Sequence, residues 1–259
     1  MEAGLPDTTG RFAGRAAIVT GAARGIGAAT AARLAEEGAQ VLLADRAPEV
    51  MARAEAVGGV GLRIDLAARG AGEAVVDTAL DAFGRLDILV NNAGIGGSKP
   101  LLDSDDDLLE RFIETNLTSV LRLTRAAIPH LARPGGRIVS VSSTFGIAGY
   151  PGTTAYAVAK AGIAQMTRQL AGELAPEGIL VNAVAPGVIE TAMTEGHLGS
   201  DYYRRAVLEP TPLRRAGRPE EVAAVIAFLA SADAAYVAGQ VIAVDGGWLA
   251  ARHPPREAG

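Results

Sequence analysis

The chain has 259 residues, of which 49% are hydrophobic and 20% are charged, and its formal net charge is −5. This composition supports a sizeable core and argues against wholesale disorder. The sequence holds no cysteine, which excludes disulfides, thiol catalysis and thiolate metal sites, and its mixed charges give no basic footprint for nucleic acid.

Short β-rich apolar runs alternate with helical patterns along the chain. The first strand is predicted at Ala16–Thr20, and a helix is expected from about Gly25 to Glu37. Further strands are predicted at 41–44, 61–64, 88–90, 137–141, 180–184 and 241–244, with long helices near 105–132 and 155–175. Apolar strands separated by helices indicate right-handed crossovers and a parallel sheet. The sequence therefore predicts an α/β fold, a Rossmann-type doubly wound parallel sheet of about seven strands in a three-layer α/β/α arrangement.

No repeat or linker divides the chain, so residues 12–249 are predicted to form a single domain. Residues 1–11 and 250–259 are expected to be flexible termini. Residues 188–213 join a strand to a later helix, and an insertion at the C-terminal end of a strand overhangs the ligand crevice in an α/β fold. We expect this segment to be a substrate loop, although an ordinary helical connector fits the same pattern.

A glycine-rich turn, TGAARGIG at residues 20–27, follows the first strand. Gly21 permits a tight turn, Gly25 lets the backbone approach a pyrophosphate, and Gly27 allows close packing of helix on strand. The N-terminus of the next helix offers free N–H groups and its positive dipole end to phosphates. A lone glycine triplet would fit a structural turn, but between strand and helix it indicates a dinucleotide site.

Asp45 stands at the end of the second strand. A carboxylate there accepts hydrogen bonds from the adenosine ribose hydroxyls and repels a 2′-phosphate, which favours NAD over NADP. Arg24 and Arg46 oppose this interpretation, because either guanidinium could pair with that phosphate.

Tyr156 and Lys160 are four residues apart, so both side chains lie on one face of a helix. The pKa of a free tyrosine is about 10, and the lysine ammonium, together with a positive nicotinamide ring, is expected to lower it. Such a pair alone is usually a solvated helix face. Ser142-Ser143 ends the fifth strand, where a hydroxyl can hold a substrate oxygen as charge develops, although tandem serines also commonly cap a turn.

These residues together resemble the short-chain dehydrogenase/reductase family, and the match runs from about Phe12 to Trp248. The motifs that carry it in combination are TGAARGIG at 20–27, NNAG at 91–94, ETNLTS around Asn116, SVSS at 140–143, YAVAK at 156–160, NAVAPG at 182–187 and VDGG at 244–247. The resemblance implies a single dinucleotide-binding and catalytic domain that interconverts a secondary alcohol and a ketone by hydride transfer.

The family also implies a role for each matching residue. Tyr156 would be the acid/base, Ser143 would polarise the substrate oxygen, and Lys160 would tune Tyr156 and bind ribose. Asn116 would kink a helix and support a water relay to the lysine. The cofactor-binding residues implied are Gly21, Arg24, Gly25, Ile26, Gly27, Asp45, Asp65, Leu66, Asn92, Ala93, Gly94, Tyr156, Lys160, Pro186, Gly187, Ile189 and Thr191. Within that set, Asp65-Leu66 would contact adenine, and the Ile189 backbone with the Thr191 hydroxyl would hold the carboxamide.

The substrate itself is not specified by these motifs. Candidate pocket residues are Ile95, Phe145, Ile147, Tyr150, Met193, His197 and Tyr202, a mixed and moderately apolar set. His197 and the 202–205 cluster would bind an acidic or polar substituent, or face water; the sequence leaves both open.

Two other functions fit the sequence less well. An NADP-dependent 3-oxoacyl-(acyl-carrier-protein) reductase is opposed by Asp45 and by Ala171-Gly172-Glu173, which offers no basic surface for an acidic carrier. A non-catalytic dinucleotide sensor would commonly lack Tyr156 or Lys160.

The remaining expectations concern assembly and location. The resemblance implies a homodimer or homotetramer that pairs the long helices near 105–132 and 155–175, where Ala161, Gly162, Ala164 and Ala171 allow close contact or face the chain's own sheet. The three histidines form no ligand pattern, so no metal is expected. No apolar stretch reaches the roughly 18–20 residues of a membrane helix, and residues 1–10 carry no signal-like run, which predicts a cytoplasmic protein without a membrane partner.

Overall fold

Seven strands form one parallel sheet in the computed structural model, which describes residues 10–251 except for the side chain of His197. The strands are β1 (Ala16–Thr20), β2 (Gln40–Asp45), β3 (Val60–Arg63), β4 (Ile88–Asn91), β5 (Arg137–Val141), β6 (Leu180–Pro186) and β7 (Val241–Val244). Their order is β3-β2-β1-β4-β5-β6-β7, so the winding reverses between β1 and β4. A ligand crevice forms at such a switch point, beyond the carboxyl ends of the strands.

Helices cover both faces of this sheet. They are α1 (Gly25–Glu36), α2 (Glu49–Ala56), α3 (Ala71–Phe83), α4 (Asp106–Ile113), α5 (Ser119–Ala127), α6 (Thr154–Leu174), α7 (Glu195–Leu198), α8 (Asp201–Tyr203) and α9 (Pro219–Ala230). Neighbouring residues of β1 point to opposite faces. Val19 joins the core under α1, α2 and α9, whereas Ile18 joins the core under α3, α5 and α6. The predicted three-layer, seven-stranded parallel architecture is confirmed.

The predicted long helix near 105–132 is interrupted. A π-helical turn at Glu114–Thr118 separates α4 from α5, and a 3₁₀ turn at Ile128–His130 follows α5. Pro129 supplies the reason for the second break, because proline has no N–H for the helical ladder. The π turn contains Asn116, where the family resemblance implies a kink.

The buried carboxylate of Asp87 joins the starts of β1 and β4. It accepts hydrogen bonds from the Ala16 N–H (2.9 Å), from Arg85 through Nε (2.7 Å) and Nη2 (2.8 Å), and from Arg15 Nη1 (3.1 Å). Burial alone would raise the pKa of Asp87. The hydrogen bonds from Arg85 and Ala16, with the charges of Arg85 and Arg15, instead hold that pKa below its ordinary value of 3.8.

Two residues of the expected flexible termini make hydrogen bonds to the domain. Arg11 Nε donates to Glu37 at 2.6 Å, and the Ala250 N–H donates to the Gly247 carbonyl at 3.0 Å. Arg11 and Ala250, which the sequence assigns to flexible ends, are thus hydrogen-bonded to the domain, and the flexibility of the termini stays a prediction. Gly10 and Ala251 also belong to the predicted flexible segments and are described. The remaining residues of these segments, 1–9 and 252–259, lie outside the described part of the chain.

The small residues of α6 divide between the chain's own core and the surface. Ala164 and Ala171 are buried within the chain, and Gly162 packs against Leu117, whereas Ala161 is exposed. Only part of this stripe is therefore open to a second copy, and the oligomer stays a prediction. Within residues 10–251 no helix has the length and apolar character needed to cross a membrane.

Candidate active site

A cleft of about 850 Å³ opens beyond the carboxyl ends of the strands, at the switch point between β1 and β4. Every residue that the sequence analysis assigns to the site lines this cleft, with two exceptions among those whose side chains are described. Gly27 lies beneath the cleft, and the half-exposed Ile147 lies outside it. Ile147 is thus not among the residues that line the cleft, and its role in a substrate pocket stays a prediction.

The glycine turn has the backbone geometry that its sequence predicts. Gly21 and Gly25 both adopt positive φ angles, +62° and +58°, which L side chains rarely adopt. A Cβ built on Gly27 would lie 2.3 Å from the Gly21 carbonyl oxygen, so only glycine permits α1 to approach β1 this closely. The N-cap residue Arg24 makes no side-chain hydrogen bond to the helix, which leaves the first N–H groups of α1 directed at the cleft.

Asp45 stands at one end of the cleft with both carboxylate oxygens already bonded. Oδ2 accepts from the Ala23 N–H (3.0 Å) and Oδ1 from the Ala47 N–H (2.9 Å), so the carboxylate is fixed beside the glycine turn. Arg24 and Arg46 are exposed at the same end and line the cleft, as does Asp65.

The NNAG segment holds the glycine turn in place. The Asn92 side chain donates to the carbonyls of Thr20 (2.8 Å) and Gly21 (3.1 Å), and the backbone N–H groups of Asn92 and Ala93 donate to Thr20 Oγ1. A Cβ built on Gly94 would lie 2.6 Å from Asn116 Oδ1 and 3.5 Å from Lys160 Nζ. Asn92 therefore shapes the cleft wall by fixing the turn, and glycine is required where the chain passes Asn116.

Lys160 is buried, and both its ends are hydrogen-bonded to Val141-Ser142, where β5 ends. Its Nζ donates to the Val141 carbonyl at 2.8 Å, and its own carbonyl accepts from Ser142 Oγ at 2.7 Å. Burial lowers the pKa of Lys160 to about 8. Since Ser142 is committed to the α6 backbone, Ser143 is the member of the serine pair whose hydroxyl can serve the cleft.

Tyr156 stands on the first turn of α6, partly exposed to the cleft, with Lys160 Nζ 5.8 Å from its ring centroid. Burial raises the pKa of Tyr156 above its ordinary value, and a hydrogen-bonding interaction with Ser143 offsets part of that rise. No effect of Lys160 is among the causes of this shift, and the lowering expected from Lys160 together with a nicotinamide ring stays a prediction.

The π turn places the carboxamide of Asn116 between the cleft wall and Lys160. Its Oδ1 accepts from the Ile95 N–H at 2.9 Å. Its Nδ2 is buried and has no hydrogen-bond partner among the described residues. A buried donor left unpaired is costly, so this N–H is available to an ordered water or a ligand group beside Lys160.

The first part of the segment after β6, between Val188 and Tyr203, lines the other side of the cleft, and a substrate role for residues 188–213 stays a prediction. A Cβ built on Gly25 would lie 3.2 Å from Thr191 Cγ2, and one built on Gly96 would lie 2.9 Å from Met193 Cγ. Thr191 and Met193 therefore touch the glycine turn and the NNAG loop. Pro186, Gly187 and Ile189 line the cleft beneath them.

Aromatic side chains enclose the end of the cleft beyond Tyr156. The ring of Phe145 stacks on Tyr150 with centroids 4.6 Å apart and an interplanar angle of 10°. Tyr202, which the sequence analysis selects, lines the rim but is 77% exposed, whereas its neighbour Tyr203 is half-buried and lies near Tyr150 and Tyr156. The sequence analysis includes Tyr203 only as a member of the 202–205 cluster and selects Tyr202 for the pocket. The side chain of His197, also selected from the sequence, lies outside the described set.

One further side chain supports the centre from the NNAG side. Ser98 Oγ accepts a hydrogen bond from the Tyr156 N–H at 3.5 Å, although no motif singles out this serine. The contact joins the loop after β4 to the first turn of α6.

The residues present fit a nicotinamide dinucleotide. The cleft is large enough for such a ligand. The N-terminus of α1 lines the cleft, and the glycine turn at Gly21 and Gly25 places no side chain where a pyrophosphate would lie. Asp45 stands where a ribose would lie, and the unpaired Asn116 Nδ2 stands beside the lysine. Within residues 10–251, no three His, Asp or Glu side chains gather as a metal ligand set would.

Comparison with known proteins gives consistent relatives over almost the whole chain. A family model described as enoyl-(acyl-carrier-protein) reductase matches residues 21–249. The chain is 43% identical to the 3-oxoacyl-(acyl-carrier-protein) reductase of Thermotoga maritima, covering 92% of this chain and 98% of the relative. It is 45% identical to the cis-4-hydroxycyclohexanecarboxylate dehydrogenase of Sinomonas cyclohexanicum, with the same two coverages. The crystal structure of levodione reductase superposes with a TM-score of 0.85 at 34% identity, covering 91% of this chain and 98% of that one.

Proposed function

This chain belongs to the short-chain dehydrogenase/reductase family, and from that premise we propose that it is an NAD-dependent oxidoreductase of secondary alcohols and their ketones, with Tyr156 as the acid/base. The observation that carries the proposal is the convergence of Ser143, Tyr156 and Lys160 on one wall of the cleft whose far end holds Asp45. A sensor or a structural protein would have no need of this set.

The residues divide the chemistry between them. A bound nicotinamide dinucleotide would accept a hydride from the substrate carbon, or return one. Tyr156, as phenolate, takes the hydroxyl proton of the alcohol during oxidation and gives it back during reduction. Ser143 donates a hydrogen bond to the substrate oxygen as negative charge develops there. Lys160 and the Asn116 carboxamide hold ribose hydroxyls and water next to Tyr156.

Asp45 supports the preference for NAD. Its carboxylate is held in place by two backbone N–H groups, so it cannot easily turn away from a ribose. A 2′-phosphate placed there would meet this fixed negative charge. Arg24 and Arg46 at the same end could soften that repulsion, so the two cofactors must be compared directly.

A cyclic secondary alcohol is the substrate class that we favour. Phe145, Tyr150 and Met193 line the end of the cleft beyond Tyr156 with flat or flexible apolar surface, which suits a ring. A relative that is 45% identical is named as a dehydrogenase of cis-4-hydroxycyclohexanecarboxylate, a cyclic secondary alcohol. Linear hydroxy acids and sugar alcohols serve as comparison substrates.

The test is an assay of a panel of secondary alcohols with NAD and with NADP, followed by absorbance of the reduced cofactor. Tyr156→Phe should reduce kcat by at least about 100-fold while leaving cofactor affinity largely intact, as measured by fluorescence titration. Tyr236→Phe, which changes a fully exposed tyrosine, is the matched control. Near-normal kcat in Tyr156→Phe would overturn the assignment.

A second function, reduction of a 3-oxoacyl thioester with NADPH, is favoured by the Thermotoga maritima relative. The surface at the end of α6 gives it little support. Gly172 offers no side chain, and its exposed neighbour Glu173 is acidic. Arg133, which could attract an acidic carrier, is already paired with Glu177 at 2.5 Å. Faster NADPH-dependent reduction of acetoacetyl thioesters than oxidation of any alcohol with NAD would favour this second function.

A further inference from the structure

Three arginines gather at the amino ends of β1, β4 and β5, at the edge of the sheet opposite the catalytic cleft. Arg15 immediately precedes β1, Arg85 lies just before β4, and Arg137 is the first residue of β5. These strands are neighbours in the parallel sheet, so their amino ends lie side by side. We call the three residues the arginine cluster. In the described part of the chain, Asp87 is the one carboxylate that is ion-paired with this cluster.

Asp87 balances only one of these three positive charges. Arg85 binds it through two bonds, from Nε at 2.7 Å and from Nη2 at 2.8 Å, which is the geometry of a strong guanidinium–carboxylate pair. Arg15 adds a single, longer bond from Nη1 at 3.1 Å. Arg137 donates to main-chain carbonyls and to no carboxylate among the described residues. Arg15 and Arg137 therefore carry positive charge that Asp87 does not offset.

The Gly135-Gly136 turn brings the guanidinium groups of Arg15 and Arg137 together. Arg15 Nη1 donates to the Gly135 carbonyl at 3.3 Å, and Arg137 Nη1 donates to the next carbonyl, that of Gly136, at 3.0 Å. A Cβ built on Gly135 would lie 3.2 Å from Arg15 Nη1, so this guanidinium rests against the turn. Arg137 Nε also donates to the Ser231 carbonyl at 3.4 Å. Across residues 10–251 the Nη2 group of neither arginine has a hydrogen-bond partner, so both retain N–H donors for a ligand.

Burial makes this pair of like charges costly. Arg137 is half-buried, and its pKa is lowered by burial first and by the charge of Arg15 second. The second cause shows that the two guanidinium groups are close enough to repel each other. An arginine cannot be deprotonated in a folded protein, so loss of a proton does not relieve this repulsion. An anion in contact with both groups would relieve it and would accept hydrogen bonds from the remaining N–H groups.

We propose that Arg15 and Arg137 bind a tetrahedral oxyanion of the phosphate type beside the Gly135-Gly136 turn. The planar guanidinium group matches phosphate with two parallel N–H bonds. A phosphate dianion would also offset both unbalanced charges, whereas chloride carries a single negative charge. The site is independent of the proposed oxidoreductase function, because it lies at the opposite edge of the sheet from Tyr156. Its expected effect is on stability, since an anion that binds only the folded chain raises the free energy of unfolding.

Thermal unfolding and calorimetric titration with inorganic phosphate test this proposal, with sodium chloride added to keep the ionic strength constant. At a phosphate concentration about five times Kd, the unfolding midpoint of wild type should rise by about 2–4 °C. Arg15→Gln and Arg137→Gln should each weaken phosphate binding about tenfold or more, because each removes charge-assisted hydrogen bonds. Arg53→Gln removes an exposed arginine of α2 outside the cleft, so it is the matched control and should keep the wild-type Kd.

Three results would overturn the proposal. The first is a wild-type midpoint that phosphate raises no further than chloride does. The second is phosphate binding by Arg15→Gln within twofold of wild type, which would place the ion elsewhere, as at the glycine turn of the cleft. The Arg15 side chain is 40% exposed, so this variant is expected to fold even if Arg137→Gln does not. The third concerns the carboxylates of Glu2 and Asp7, which lie outside the described residues. Phosphate binding that appears only when Glu2→Gln and Asp7→Asn are combined in the full chain would identify one of these carboxylates as the occupant.

Discussion

Replacing Gly146 with alanine should reduce turnover without weakening cofactor binding. Gly146 lies in the short turn after Ser143, and a Cβ built on it would lie 2.6 Å from the Lys160 carbonyl carbon and 2.8 Å from the Ala161 nitrogen. Both atoms belong to the backbone of α6, so no side-chain rotation can relieve the clash. The nearer contact is about 0.8 Å inside the 3.4 Å at which ordinary van der Waals contact begins.

The displacement must separate Ser143 from Tyr156 and Lys160. The Gly146 N–H donates to the Ser143 carbonyl at 2.9 Å, so the turn moves as a unit with the serine, whereas the other two residues belong to α6. Misplacing a reacting group by about 1 Å can reduce the rate about 100-fold. We expect kcat to fall about 10- to 100-fold, and overpacking to lower the free energy of unfolding by about 1–3 kcal/mol.

Gly149 is the matched control in the same loop. A Cβ built there meets nothing within 4 Å, and its φ lies outside the region that disfavours L side chains. The assay combines steady-state kinetics on the best alcohol of the panel, fluorescence titration with NADH, and thermal unfolding. Gly149→Ala should resemble wild type, and both variants should keep NADH affinity within about threefold, about 0.6 kcal/mol, because the glycine turn and Asp45 are distant from this loop. Equal kcat in Gly146→Ala and Gly149→Ala would refute the reasoning.

Two further predictions concern Asp87 and Asp45. Asp87→Asn should lower the free energy of unfolding by about 2–3 kcal/mol at pH 7, as measured by urea unfolding, because it weakens the charge-assisted bonds from Arg85. The pKa of Asp87 is lowered on folding, so its stabilisation is present above pH 3.8 and is lost as the pH falls through the folded-state pKa. A difference in the free energy of unfolding between wild type and Asp87→Asn that is equally large in acid would contradict this. Asp45→Ser should raise the ratio of kcat/KM with NADP over that with NAD by about tenfold or more, since a repulsion of about 1.4 kcal/mol or more is removed. An unchanged ratio would refute the role of the carboxylate.

Motifs with a local mechanism are predicted well from the sequence. The glycine turn between β1 and α1 and the apolar strands on either side of it depend on backbone conformation and periodicity, which neighbouring residues determine. The same holds for Tyr156 and Lys160, because helical spacing alone places both side chains on one face of α6.

Features that depend on how separate segments pack are not predicted. Tyr202 and Tyr203 are adjacent, and only the docking of the substrate loop, with Val207 buried and Ser200 accepting from the Tyr203 N–H, decides which phenol faces the pocket. The contact of Ser98 with Tyr156 joins residues that are 58 positions apart. The pKa of Tyr156 likewise reflects desolvation by the folded chain, which the spacing of Tyr156 and Lys160 does not reveal.

The burial of Lys160 has a consequence for any measurement of ligand binding. Burial lowers the pKa of Lys160 to about 8, so this lysine changes its charge within the range in which binding is commonly measured. A ligand that prefers the charged or the neutral form must take up or release protons as it binds. The enthalpy observed in calorimetry would then include the heat of ionisation of the buffer. Titrations in two buffers with different ionisation enthalpies would count the protons exchanged and so report the charge state in which the lysine meets its ligand.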